Sequence, residues 1–197
     1  MQEALQTVRE FLPTCWLWSH QNYINGGQNF FLDKRTEVPT PLSTDMCRHT
    51  TLFLLQLLKL AGDTTWKVAG GFVNYRDEPG VFEKSGHWGQ HWWLESGDRL
   101  LDLTADQVGW ENVVLTTVDD PRYCRKPELS LKKFVSTLER TVAQWRGEPT
   151  SFWMAHDPRF QEIKRQYPAV VEQFVAAWPK PSVATAKKPK GASTLSM

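Results

Sequence analysis

Two short runs of strand-forming residues place the strongest constraint on the fold of this chain. The first run, 91–95, reads HWWLE, and the second, 99–103, reads RLLDL, with Ser96, Gly97 and Asp98 between them. Runs of this length around a Gly-Asp centre are typical of a β-hairpin. The sequence therefore predicts an antiparallel sheet in this part of the chain.

The length of the hairpin turn decides which side chains share a face. With a loop of two or four residues, position 102 lies opposite position 93, and Asp102 projects from the same face as His91. Asp102 then lies diagonal to His91, near enough for the carboxylate to hold the imidazole in one tautomer. A three-residue loop would turn Asp102 to the opposite face.

An apolar pattern with helical spacing follows Pro41 and predicts a helix that is capped by Ser43 or Thr44 and ends at Gly62. Cys47 falls about one turn inside this helix, where unpaired backbone N–H groups and the helix dipole favour an anion. Because the thiolate is the attacking form of cysteine, Cys47 is a candidate nucleophile. A small buried core residue is the ordinary alternative.

The rest of the pattern predicts helices on both sides of the sheet region. In chain order, the predicted elements are a helix over 3–12 that ends at Pro13, a loop over 15–40, a strand over 66–75, a loop over 77–89, and helices over 129–145 and 159–178.

The composition favours a single domain. A chain of 197 residues with ten Trp residues can bury one sizeable core. We expect residues 1–178 to form this domain, with 128–178 as a helical extension. Residues 179–197 have few large apolar side chains and many Lys, Pro, Ser and Thr, so we expect them to be a flexible basic tail.

Charge and apolar patterning argue against several classes of protein. Lys and Arg number 23 against 22 Asp and Glu, so the net charge attracts no nucleic acid, and the Lys-rich tail offers at most a weak contact. Neither an export signal nor a membrane span is predicted, because the apolar stretches are short and interrupted by polar residues. Three cysteines without a close pair favour a reducing compartment, so we expect a cytoplasmic protein.

A family resemblance lies in three parts of the chain: Cys47 opening a Leu-rich helix, a Gly-Gly strand, and the segment GQHWWLESGDRLLDLTADQ. These parts, within 43–110, resemble the core of transglutaminase-like and papain-like cysteine enzymes, which include lasso-peptide leader peptidases and bacterial transglutaminase-like cysteine proteinases. The resemblance implies an α+β fold whose nucleophile-bearing helix packs on a small antiparallel sheet, here with additional carboxyl-terminal helices. It implies Cys47 as nucleophile, His91 as general base and acid, and Asp102 as the orienting carboxylate.

The function that the resemblance implies is cysteine-dependent acyl transfer through a thioester. Hydrolysis of a peptide, isopeptide or amide bond in a protein or peptide substrate is the first expectation, because water is the default acceptor. Protein-glutamine deamidation or transglutamination by the same three residues stays open. No cofactor or metal is expected, since no calcium-loop pattern is present. A catalytically inactive interaction module is the non-enzymatic alternative.

Several roles have more than one candidate. Asp106 competes with Asp102 for the orienting role. The backbone N–H of Cys47 is the natural first donor to an oxyanion. Candidates for the second donor are the side chains of Gln21, Asn22, Gln28 and Asn29. Gln107 and Trp110 are candidates to brace the site.

A zinc site is the main chemical rival, and its ligands would be Cys47, His49, His87 and His91. The side chains at 47 and 49 project about 200° apart on an ideal helix, which argues against a shared metal. The candidates for the walls of a cleft are Phe82, Trp88, Trp92 and Trp93, although core packing is the commoner use of such residues.

Overall fold

The computed structural model describes residues 1–25, 36–71, 80–124 and 135–180. Its helices are α1 (Gln2–Asn25), α2 (Cys47–Leu60), α3 (Val135–Trp145) and α4 (Pro158–Ala177). Its strands are β1 (Lys67–Gly71), β2 (Val81–Phe82), β3 (Trp88–Gly89), β4 (His91–Ser96), β5 (Arg99–Asp102) and β6 (Val114–Thr117). The expected combination of helices with a small antiparallel sheet is confirmed.

One four-stranded antiparallel sheet has the spatial order β1-β4-β5-β6, and α2 packs against it. Every residue of β4 is buried. Leu94 and Leu101 belong to the main core, which includes the apolar residues of α2, whereas Trp93 and Leu100 belong to a second core with Val81. Successive side chains of a strand point to opposite faces, so the two faces of the sheet contribute to two separate cores.

The β4-β5 connection is a two-residue turn, as the predicted hairpin required. Leu94 pairs with Leu101 and Ser96 pairs with Arg99, so only Gly97 and Asp98 form the loop. One further step in this register sets Asp102 opposite position 93, on the same face as the side chain at 91. Gly97 has a φ of 63° at the first central position, where type II′ turns need a positive φ.

The predicted end of the first helix at Pro13 is wrong, because α1 continues through Pro13 to Asn25. The apolar stripe also continues, since Trp16 and Trp18 are buried and Trp16 Nε1 donates to Thr50 Oγ1 on α2 at 3.0 Å. An interior proline costs about 3 kcal/mol of helix stability, which burial of two tryptophans offsets. The loop predicted over 15–40 is therefore helical at its start.

The predicted start of α2 at Ser43 or Thr44 is also wrong. Two successive turns occupy this stretch, with Thr44 N–H donating to the carbonyl of Pro41 and Met46 N–H to that of Ser43. Thr44 Oγ1 donates to the Pro41 carbonyl at 2.7 Å, so its hydroxyl is used in the turn and does not cap the helix. Cys47 is consequently the first residue of α2 and does not lie a turn inside it.

The loop predicted over 77–89 contains the short hairpin of β2 and β3, in which Val81 pairs with Gly89 and Phe82 with Trp88. Strands of two residues are too short to show a period in the sequence. The carboxyl-terminal helices are confirmed as α3 and α4, the latter with Asp157 as its N-cap. The parts of the predictions that fall in 26–35, 72–79, 125–134 and 181–197 lie outside the described residues.

No helix within the described ranges is long and apolar enough to cross a membrane.

The β4-β5 turn gives a test of the hairpin. We expect Gly97→Ala to lower the free energy of unfolding by about 1–2 kcal/mol, because an L side chain is disfavoured at positive φ. A Cβ at Gly97 would meet no atom within 4 Å, so the cost is conformational and not steric. Urea unfolding measures it. Asp98→Ala, at an exposed neighbouring position, is the control, and an equal effect in both variants would contradict the turn assignment.

Candidate active site

A buried histidine-carboxylate pair lies at the centre of the site. His91 Nε2 and Asp102 Oδ2 are 2.6 Å apart, and the two side chains are 0% and 1% exposed. His91 opens β4 and Asp102 ends β5, so the hairpin register alone brings them to one face. A carboxylate at this distance accepts the Nε2 proton and fixes the orientation of the ring.

Asp102 is held by two further residues. Its Oδ1 accepts hydrogen bonds from the backbone N–H of Thr104 at 2.8 Å and from Thr104 Oγ1 at 3.0 Å. Its Oδ2 accepts from the hydroxyl of Tyr123 at 3.0 Å. Burial raises the pKa of Asp102, but the charge and hydrogen bond of His91 and the bonds from Thr104 outweigh it, so the pKa lies below its ordinary value. The charged form of this carboxylate is therefore favoured although it is buried.

The ring of His91 is biased toward the charged form. Burial lowers its pKa, but the charge and hydrogen bond of Asp102 and the interaction with Cys47 exceed this effect and raise the pKa to about 10. Trp93 stacks beside the ring, with centroids 6.4 Å apart and planes at 23°. The imidazolium is therefore stabilised by charge and enclosed by apolar surface.

Cys47 lies at the first position of α2, with its sulfur close enough to His91 to interact with the ring. The thiol is free and buried, with 7% of the residue exposed. The first helical hydrogen bond runs from Thr50 N–H to the Met46 carbonyl, so the backbone N–H of Cys47 has no partner within the helix. Arg48 places a half-buried guanidinium near the sulfur. The structure thus brings Cys47, His91 and Asp102 together.

Gln107 reaches the other nitrogen of His91, with Nε2 3.1 Å from Nδ1. It lies in a single 3₁₀ turn, Ala105–Val108, that follows β5. Trp110, the second bracing candidate, donates its indole N–H to the carbonyl of Phe82 at 2.7 Å and so fastens the β2-β3 hairpin.

Asp106 does not contact His91. It pairs with Arg9 of α1, with Arg9 Nη2 and Asp106 Oδ2 2.6 Å apart. Burial raises the pKa of Asp106, which the charge of Arg9 opposes. Of the two carboxylates considered for the orienting role, the structure therefore brings only Asp102 to the imidazole.

Of the side-chain candidates for the second oxyanion donor, only Gln21 and Asn22 lie within the described residues, and no hydrogen bond described there joins either of them to Cys47 or His91. Gln21 Oε1 accepts a hydrogen bond from Arg159 of α4 at 2.8 Å, which directs its amide toward that helix. Asn22 is half-buried on α1, and Gln28 and Asn29 lie outside the described residues. The backbone N–H of Cys47 is the donor that the fold presents.

The proposed zinc ligands are not gathered together. His49 is buried against Trp145, with ring centroids 5.8 Å apart, and His87 is exposed between β2 and β3. Among the described residues, no three His, Cys, Asp or Glu side chains are grouped so as to hold a metal ion.

The four aromatic candidates for a cleft wall divide into two pairs. Trp92 and Trp93 are each 1% exposed and are core residues. Phe82 and Trp88 are 38% and 41% exposed and meet edge to face, with ring centroids 5.3 Å apart. Only the second pair presents aromatic surface to solvent.

Tyr123, like Thr104, is a contributor to the site that sequence reasoning missed. It follows β6 by several residues and is positioned by a bridge between its backbone and Val81. Its ring meets Trp93 edge to face at 5.2 Å, and its hydroxyl reaches Asp102. No local sequence signal marks such a tyrosine, because the contact depends on where β2 and β6 lie in three dimensions.

Comparison of the chain with protein-family models, with curated proteins and with solved structures finds no match. The resemblance to transglutaminase-like enzymes therefore stays a prediction from the sequence.

The raised pKa of His91 predicts how stability changes with pH. A group whose folded pKa lies above its unfolded value of about 6.5 stabilises the fold fully below pH 6.5 and loses this contribution as the pH rises through about 10. Between pH 6.5 and pH 10, we expect the free energy of unfolding to fall by on the order of a few kcal/mol more in the parent than in His91→Gln. Urea unfolding at both pH values measures this difference.

The exposed His87 provides the matched control. We expect His87→Gln to follow the parent at both pH values. An equal fall in the free energy of unfolding in the parent and in His91→Gln would mean that His91 is not held in the charged form.

Proposed function

We propose that this chain is a cysteine-dependent acyl-transfer enzyme that hydrolyses a peptide, isopeptide or amide bond of a protein or peptide through a thioester. The observation that supports it most is the buried His91–Asp102 pair, at 2.6 Å, beside a thiol at the start of a helix. A nucleophile, a base and an orienting carboxylate within reach of one another are the requirement for this chemistry.

The first half of the reaction uses Cys47 and His91. The ionised sulfur of Cys47 attacks the carbonyl carbon of the substrate, and a C–S bond forms. The oxygen gains negative charge, which the backbone N–H of Cys47 stabilises at the amino end of α2. The C–N bond then breaks, and the leaving nitrogen takes a proton from His91. A thioester and a free amine result.

The second half returns the enzyme to its starting state. His91, now neutral, takes a proton from water as the water oxygen attacks the thioester carbon. The C–S bond breaks, the carboxylic acid leaves, and Cys47 regains its charge beside the protonated ring. Asp102 stays ionised throughout and keeps the ring oriented.

The arrangement of the elements supports a transglutaminase-like or papain-like core. The proposed nucleophile begins a helix that packs on an antiparallel sheet, and the histidine and carboxylate lie on adjacent strands of that sheet. This matches the order Cys, His, Asp that the sequence resemblance implies.

The reactivity of Cys47 provides the direct test. We expect iodoacetamide to modify Cys47 at neutral pH roughly tenfold or more faster than Cys124, because an ionised thiol reacts and a neutral one does not. Cys124 is more exposed than Cys47, so exposure alone predicts the reverse order. Peptide mass spectrometry over a time course gives both rates in one sample, and His91→Ala should reduce the rate at Cys47 toward that of Cys124.

Cys15 serves as an internal blank in the same experiment. It is fully buried, and burial raises the pKa of its thiol well above the ordinary value, so we expect no modification of the folded protein. Modification of Cys15 would report unfolding. Equal rates at Cys47 and Cys124 in the folded parent would contradict the proposed function.

The type of reaction is read from the products. We expect proteins exposed to the parent enzyme, and not to Cys47→Ala, to acquire new termini that mass spectrometry detects. A Gln-to-Glu mass shift without new termini would assign deamidation, and crosslinked peptides would assign transfer to an amine. Identical peptide sets from both enzymes across a range of protein substrates would contradict hydrolysis.

A further inference from the structure

The amide of Gln107 makes three contacts, which join the turn that precedes Cys47 to the imidazole of His91. Gln107 Oε1 accepts a hydrogen bond from the backbone N–H of Asp45 at 3.0 Å, two residues before Cys47. Gln107 Nε2 lies 3.1 Å from the carbonyl of Thr104 and 3.1 Å from His91 Nδ1. One side chain therefore touches both parts of the chain that the proposed reaction uses.

The orientation of this amide follows from partners whose roles are fixed. A backbone N–H can only donate, so the atom facing Asp45 is the amide oxygen. A backbone carbonyl can only accept, so the atom facing Thr104 is the amide nitrogen. The group that faces His91 Nδ1 is consequently a hydrogen-bond donor, and Nδ1 can accept from it only when the ring is neutral.

The same conclusion follows from the other side of the ring. The carboxylate of Asp102 accepts from Nε2, so in the neutral ring the single proton is on Nε2 and Nδ1 is unprotonated. Gln107 and Asp102 thus select the same tautomer from opposite edges. That tautomer leaves Nδ1 as the basic nitrogen of the ring.

We propose that Gln107 is a positioning residue that binds the Nδ1 lone pair of His91 when the ring is neutral, and that it must release Nδ1 when the ring takes a proton. This inference rests on the proposed function, because it assigns His91 as the base. A donor facing N–H⁺ is repelled, so the Gln107 amide either withdraws toward Thr104 or turns over.

A rotation of the Gln107 amide by about 180° would break its hydrogen bond to the backbone N–H of Asp45. The protonation of His91 would then affect the turn that precedes Cys47. Asp45 has a φ of 62°, a left-handed conformation that is strained for a residue other than glycine. The hydrogen bond from its N–H to Gln107 is one of the contacts that hold this turn. The proton position on His91 and the geometry before Cys47 therefore depend on the same amide.

Other charged and titratable groups face this centre and act in different directions. Asp102 and Cys47 contact His91 directly and favour its charged form. Around them lie the hydroxyl of Tyr123 on Asp102, the Arg9–Asp106 pair near Asp102, and Arg48 and Asp45 near Cys47. Among the hydrogen bonds to the ring that the described residues make, the one from Gln107 favours the neutral form.

The experiment is a titration of His91 by NMR in the full chain, following the ring C–H signal that disappears in His91→Ala. We expect Gln107→Met to raise the midpoint pH of His91 by roughly half to one unit, since one hydrogen bond to the neutral form is lost. We expect Gln107→Glu to raise it further, because a carboxylate accepts from the charged ring. Both variants approximate the size and shape of glutamine.

The matched control is Gln144→Met. Gln144 also bridges two elements through its amide, accepting from Trp18 Nε1 at 3.3 Å and donating to Thr150 Oγ1 at 2.9 Å. Its loss should cost stability without moving the His91 midpoint. An unchanged His91 midpoint in both Gln107 variants would overturn the inference, and so would an equal shift of that midpoint in Gln144→Met. If Gln107→Met fails to fold, the result for Gln107→Glu decides alone.

A negative result for the role of Gln107 can be distinguished from a negative result for the proposed function. If the His91→Ala change slows alkylation of Cys47 but the Gln107 variants leave the midpoint unmoved, the enzyme assignment stands and the role of Gln107 falls. If Cys47 reacts no faster than Cys124 in the parent, the proposed function falls, whatever the titration shows.

Discussion

The buried pair of His91 and Asp102 is the interaction on which the rest of the site depends. Placing a charge away from water costs several kcal/mol unless close partners replace the solvent. The fold supplies them from separate places: Thr104 immediately after β5, Tyr123 beyond β6, and the ring of His91 on β4. Each partner is held by the sheet or by the segment that leaves it, so the sheet is the scaffold of the ion pair as well as of the core.

The register of one hairpin decides whether this pair exists. A slip of a single residue would turn Asp102 to the opposite face and leave His91 buried without a counter-charge. The two-residue turn at Gly97 prevents the slip, because its positive φ suits a tight connection between twisted strands. Register and electrostatics therefore reinforce each other, since the wrong pairing would bury an unpaired group.

The predictable parts of this molecule are those whose cause is local in sequence. The hairpin follows from the strand-forming runs on either side of the turn at Gly97. The alternation of side chains along its strands then places Asp102 on the same face as His91. The continuation of α1 past Pro13 was not predictable in this way, because burial of tryptophans against other helices offsets the cost of proline. The contact of Tyr123 with Asp102 was also not predictable, because it depends on parts of the chain that are distant in sequence. The start of α2 at Cys47 depends on whether the residues before it form turns or a first turn of helix.

The proton of His91 is subject to opposing influences. Burial and the donor of Gln107 favour the neutral ring, whereas Asp102 favours the charged one. In the proposed reaction the charged ring gives a proton to the leaving nitrogen and the neutral ring then takes one from water, so both forms are needed in turn. Asp102 and Cys47 outweigh burial, so the pKa of His91 lies above its ordinary value and the charged ring is favoured. In its proposed role, Gln107 opposes this preference from the opposite edge of the ring and so makes the proton easier to give to the leaving nitrogen.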